Sequence, residues 1–103
     1  MTDHGPDCIA CTDPAEAARQ IAAERAELDT WAERGQARRT EGERARKASM
    51  KLLIAGNRDE SDLEDARAQH ELRAANAIAC NVRMGRAHLD RVEAAHPQLR
   101  EAS

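Results

Sequence analysis

Ala68, Ala75, Val82, Leu89 and His96 recur every seven residues, with Ile78, Gly85, Val92 and Leu99 as a partner series and Leu72 and Ala79 alongside. Spacings that alternate between three and four place both series on one stripe of an α-helix, the seam of a coiled-coil-type pair. A strand cannot use such a pattern, because its side chains alternate faces with period two. The remaining residues point the same way. Alanine supplies 22 of 103 positions, Trp31 is the single aromatic, Phe and Tyr are absent, and 34% of residues are charged. Alanine, glutamate, arginine and leucine favour long helices, and the β-branched and aromatic residues that fill sheets are scarce.

Helix punctuation sets the boundaries. Asp13 is a good N-cap, Pro14 suits the first helical position, and Glu16 completes a capping box. From there the chain reads as helical to Ala55. Ala18, Ile21, Leu28, Trp31 and Ala32 share one face, which Ala45, Ala48, Leu52 and Leu53 continue. Ile21 and Leu28 are followed, seven residues at a time, by Gly35, Gly42, Ser49 and Gly56. Such small residues let another helix approach closely. The alternative is a kink or break, since each glycine costs about 1 kcal/mol against alanine and Thr40 with Glu43 offers a fresh capping box. Gly56-Asn57 supplies a left-handed C-cap. Ser61 with Glu64 forms a capping box for the last helix, which Pro97 stops near His96.

These signals predict an all-α chain: a leader at residues 1–12, a long antiparallel helical hairpin over 13–96, and a tail at 97–103. The hairpin has two helices, or three if the first breaks near residues 35–41. Alanine-rich helices bury little area, so the hairpin is expected to complete a four-helix-type bundle as a homodimer. The expected interface is Trp31, Leu72, Ile78, Val82, Leu89 and Val92.

One group has chemical specificity: His4-x3-Cys8-x2-Cys11. Two thiolates from a C-x2-C turn converge on one tetrahedral metal, and His4 adds a third ligand, so Zn is the candidate cofactor. Hairpin geometry places residue 11 near the far end of the last helix. His96 or His88 then fits as a further ligand from the same chain, and Cys80 fits only if a second copy supplies it. The spacing resembles the H-x3-C-x2-C motif of zinc-binding anti-sigma factors, small helical proteins that wrap sigma factors. The match covers eight residues. In that family the motif lies on a helix inside the domain, whereas here it lies at the extreme N-terminus with Gly5 and Pro6 between its first two members. A leader with incidental cysteines stands beside the metal reading, because lone C-x2-C pairs recur by chance.

Other patterns are weaker. Cys80, Met84 and His88 share one helical face, but i to i+8 spans about 12 Å, too far for one metal. The stretch from Arg34 to Lys51 carries seven positive charges interleaved with glutamates, which reads as a salt-bridged helix face. With a net charge of −3 and no stacking aromatic there, nucleic acid is not an expected partner. No phosphate loop, H-E-x-x-H or G-x-S-x-G occurs, so no enzyme is expected. No apolar run spans a bilayer and the N-terminus lacks a signal pattern, which makes a cytoplasmic protein with reduced thiols the expectation. The leading reading is a non-enzymatic helical interaction module (a regulator, inhibitor or adaptor) that pairs with itself and with another protein. A zinc- or thiol-based sensor and a DNA-associated dimer are the alternatives.

Overall fold

The computed structural model describes residues 8–102, and all four elements in them are helices: α1 (Ile9–Thr12), α2 (Pro14–Ile54), α3 (Arg58–Ala95) and α4 (Gln98–Ala102). The all-α expectation holds, and α2 and α3 are the two arms of the hairpin. Helix α2 runs unbroken through Gly35, Thr40 and Gly42, so the three-helix alternative falls. Thr40 caps nothing; its hydroxyl donates to the Gln36 carbonyl at 3.1 Å, inside the helix. Residues 9–12 and 98–102, expected as leader and tail, are short helices that pack on each other.

The chain divides into two compact units. One holds the residues up to Thr30 together with those from Val82 onward; the other is Trp31–Asn81. The second unit contains the turn. Gly56 adopts φ +87°, the Gly56 amide donates to Leu53 O at 3.1 Å and the Asn57 amide to Leu52 O at 2.9 Å. This pair of bonds is a Schellman motif, which satisfies the last carbonyls of α2 and requires a residue without Cβ strain. The chain re-enters helix at Arg58, three residues before the expected start, with Asp59 and Glu60 in the first turn where the helix dipole favours negative charge. Ser61 is therefore not a cap. It is buried opposite Ser49: Ser49 Oγ donates to Ser61 O at 2.9 Å and Ser61 Oγ to Ser49 O at 2.8 Å.

Small residues set the helix spacing in this unit. Ala45, Ala68 and Ala75 are at most 1% exposed. Gly35 and Gly42 face Ile78 and Leu72, whose side chains lie where a Cβ would sit. The close-approach reading of these glycines is what the structure contains. Ion pairs flank the seam: Arg38–Glu71 at 3.6 Å, Arg67–Glu41 at 3.1 Å, and Arg44 with Glu41 at 2.7 Å and Glu64 at 3.9 Å.

In the first unit, Asp13 caps α2 as expected, its Oδ1 accepting from the Glu16 amide at 3.2 Å. Ala10, Ala17 and Leu99 form a buried cluster with Ile21, Val92 and Cys8 packed around it. Gly85 admits the Leu28 side chain. Arg25 bridges Glu93 at 2.7 Å and Asp90 at 2.8 Å, and Arg86 reaches Asp29 at 2.7 Å. The whole predicted heptad series (Ala68, Ala75, Val82, Leu89, His96) is buried within the chain, and Ser61 extends it by one more repeat.

Candidate functional site

The first unit gathers the one cluster of metal-capable side chains among the described residues. Ligand atoms of Cys8, Cys11 and His96 all lie within 4.8 Å of one another. Each is placed by a local rule. Cys8 stands in extended backbone as the N-cap of α1, and Cys11 follows one turn later on the same short helix. His96 occupies the break between α3 and α4, imposed by Pro97, which lacks a backbone donor and restricts the residue before it.

The histidine ring is fixed by its hydrogen bonds. Its Nδ1 lies 3.0 Å from the Val92 carbonyl, which can only accept, so the ring proton sits on Nδ1. Nε2, the other ring nitrogen, then faces Cys8 Sγ at 3.4 Å. Gln98 Nε2 donates to Ala10 O at 3.1 Å and to Cys11 Sγ at 3.8 Å, so α4 supports the second sulfur. The Cys8 thiol is held below its ordinary value, chiefly by the Cys11 backbone amide and further by the Cys11 thiol, His96 and the Ala10 amide. Cys11 is held above its ordinary value, because its thiol is engaged with Cys8, then through desolvation and Cys8's charge. One thiolate at Cys8 is thus favoured before the second forms.

Of the residues expected at a metal, Cys8 and Cys11 come together and His4 lies outside the described residues. Of the two histidines that hairpin geometry nominates as further ligands, His96 arrives at the cysteines, and His88 is exposed on α3. Gln98 and the Val92 carbonyl, which hold the cluster in place, carried no sequence signal. Cys80 is half-buried, while Met84 is 63% exposed.

A second feature lies in the other unit. Met50, Leu53, Ile54 and Leu63 are 59%, 49%, 81% and 73% exposed, flanking the α2–α3 turn. The expected interface set is distributed differently. Val82 and Leu89 are buried, Leu72, Ile78 and Val92 are half-buried within their own units, and only Trp31 is exposed. Its ring carries the Arg34 guanidinium 5.1 Å from the centroid. The run Leu52-Leu53-Ile54 held the missed signal: three consecutive large aliphatics cannot all face one seam of a helix. Of the seven cations from Arg34 to Lys51, Arg38 and Arg44 are in ion pairs, Arg39 donates to Asn76 at 2.8 Å, and Arg34 covers Trp31.

No family model, curated protein or solved structure matches the chain. No helix among the described residues is long and apolar enough to cross a membrane.

Proposed function

We propose that the chain is a non-enzymatic helical interaction module that pairs with a second copy of itself through the apolar side chains at its turn. The observation that carries this reading is the exposure of Met50, Leu53, Ile54 and Leu63 beside a core built largely of alanine. Large apolar side chains are left outside where packing within the chain uses small ones, which is the signature of an unfilled contact.

Charge favours a second copy as the occupant. The exposed cations Arg46, Lys47 and Lys51 end α2, and the exposed anions Asp59, Glu60 and Asp62 begin α3; among the described residues none of the six forms an ion pair. In a two-fold contact, residue i of one copy meets j of the other and j meets i, so a surface with both signs side by side complements itself. Burying a Leu, Ile or Met fully is worth about 1.5–3 kcal/mol, and four largely exposed residues from each copy offset an association cost of roughly 4–15 kcal/mol.

Sedimentation equilibrium tests the reading. The wild type is expected as a dimer at high micromolar concentration, and Ile54→Glu with Leu63→Glu as a monomer of unchanged helicity. Lys47→Glu/Lys51→Glu and Asp59→Lys/Glu60→Lys variants should each weaken self-association and should pair with each other when mixed. A wild type that stays monomeric overturns the reading and leaves this face to a helix of a different protein. The zinc- or thiol-based reading is favoured by a separate observation, the Cys8–Cys11–His96 cluster, and is developed next.

A further inference from the structure

We infer that Cys8, Cys11 and His96 form a Zn²⁺ site that staples the N-terminal helix α1 to the end of α3. The inference is independent of how the turn is used, since it rests on the other compact unit.

The donor set is two thiolates and one imidazole, the chemistry of tetrahedral zinc sites. With Zn–S distances of about 2.3 Å and Zn–N of about 2.0–2.1 Å, tetrahedral geometry separates a sulfur from a nitrogen by about 3.6 Å. The observed Cys8 Sγ to His96 Nε2 distance is 3.4 Å, so that edge of the tetrahedron is already formed. All three ligand atoms lie within 4.8 Å, which leaves Cys11 an adjustment of about 1 Å to reach a common centre. Cys11 is exposed, so its side chain has room to make it.

The surroundings match a metal site beyond its ligands. A metal-binding imidazole donates its other ring nitrogen to a carbonyl or carboxylate, which fixes the tautomer and the ring plane. His96 does so through Nδ1 and the Val92 carbonyl, leaving Nε2 as the electron-pair donor. Ligating sulfurs gain from a nearby donor, and Gln98 Nε2 supplies one to Cys11. His96 is 9% exposed whereas Cys11 opens to solvent, so the cluster has an apolar floor and an entry side. Two thiolates neutralise the dication, and soft sulfur with imidazole selects zinc over calcium or magnesium.

A metal here ties residue 11 to residue 96, closing a loop of 85 residues. Binding free energy then becomes stability of the Ala10–Ala17–Leu99 cluster beneath it. Removing the metal should loosen α1 and α4 while leaving the Trp31–Asn81 unit unaffected.

The test uses the full chain purified with a non-thiol reductant and no chelator. Native mass spectrometry should report one Zn²⁺ per chain, and Co²⁺ substitution should give the intense d–d bands of a tetrahedral site with sulfur-to-metal charge transfer. In competition with a chromophoric chelator, Cys11→Ser and His96→Gln should each weaken binding at least 100-fold, while His88→Gln should leave it unchanged. Circular dichroism checks that each variant keeps its helicity. Hydrogen exchange on the wild type should show protection of residues 8–12 falling when Zn²⁺ is chelated. Absent zinc with no cobalt charge-transfer band overturns the site, and so does binding that survives both substitutions.

Discussion

Gly42→Ala should lower stability, although it replaces the second-poorest helix former with the best. Alanine in the middle of a helix gains about 1 kcal/mol over glycine. Against that, a Cβ at position 42 would lie 2.7 Å from Leu72 Cγ, 2.9 Å from Leu72 Cδ2 and 3.3 Å from the Ala68 carbonyl. The closest atom is the branch point of the leucine, not its tip, and the carbonyl belongs to the backbone of α3. Relief therefore requires the whole side chain or the helix to move, an overpacking cost of about 1–3 kcal/mol. The net expectation is a loss of about 1 kcal/mol, or a fall of about 4–8 °C in Tm for a domain of this size. Gly85→Ala is the internal comparison. There the neighbours are the terminal methyls of half-buried Leu28 at 2.9 and 3.1 Å, which can turn aside, so propensity should win and the variant should be neutral or stabilised. Gly35 falls between, because its Ile78 Cγ2 neighbour at 2.9 Å is on a β-branched side chain with a stiff χ1. Urea unfolding followed at 222 nm gives all three values, and the Gly42→Ala/Leu72→Ala double variant should show a favourable coupling. Gly42→Ala stabilised by the full helix-propensity gain would refute the close approach.

Gly56→Ala should cost about 1–2 kcal/mol in urea unfolding, since φ +87° is strained for any residue with a Cβ, while Gly56→Asn should cost less. Ser49→Ala should cost about 1 kcal/mol, and with Ser61→Ala the two losses should be less than additive, because the residues share a 3.0 Å hydroxyl contact in a double-mutant cycle. Glu41 is held below 4.5 chiefly by the hydrogen bond from Arg44, then by the charges of Arg44 and Arg67. Its stabilising contribution is present above the unfolded value and is lost as pH falls through the lower folded value. Glu41→Gln should therefore be less stable than wild type at pH 7, and the gap should narrow as the pH falls below the ordinary carboxylate range; a gap independent of pH would contradict the assignment.

The heptads of α3 were legible because amphipathic periodicity is local: Ala68, Ala75, Val82, Leu89 and His96 are buried where the stripe places them. The Asp13 cap and the Gly56-Asn57 turn were legible for the same reason, since each depends on a few adjacent residues. The continuity of α2 was not, because propensity makes Gly35 and Gly42 a weakness and only the side chains of Ile78 and Leu72 opposite turn them into a fit. Ser61 reads as a cap in isolation and becomes a seam residue only when Ser49 faces it. The same division runs through the candidate site. The C-x2-C spacing names two ligands, and hairpin geometry narrows the distant ones to His96 or His88. The choice of His96, its tautomer and its support from Gln98 required the packing of α1 against α4. The helical stripe of α3, the cap of α2 and the turn were determined by the sequence alone, since hydrogen bonds four residues apart and a seven-residue repeat need no partner. Which small residues touch, and which sulfur meets which nitrogen 88 residues away, was decided by tertiary structure, because those contacts depend on the separation and rotation of packed helices.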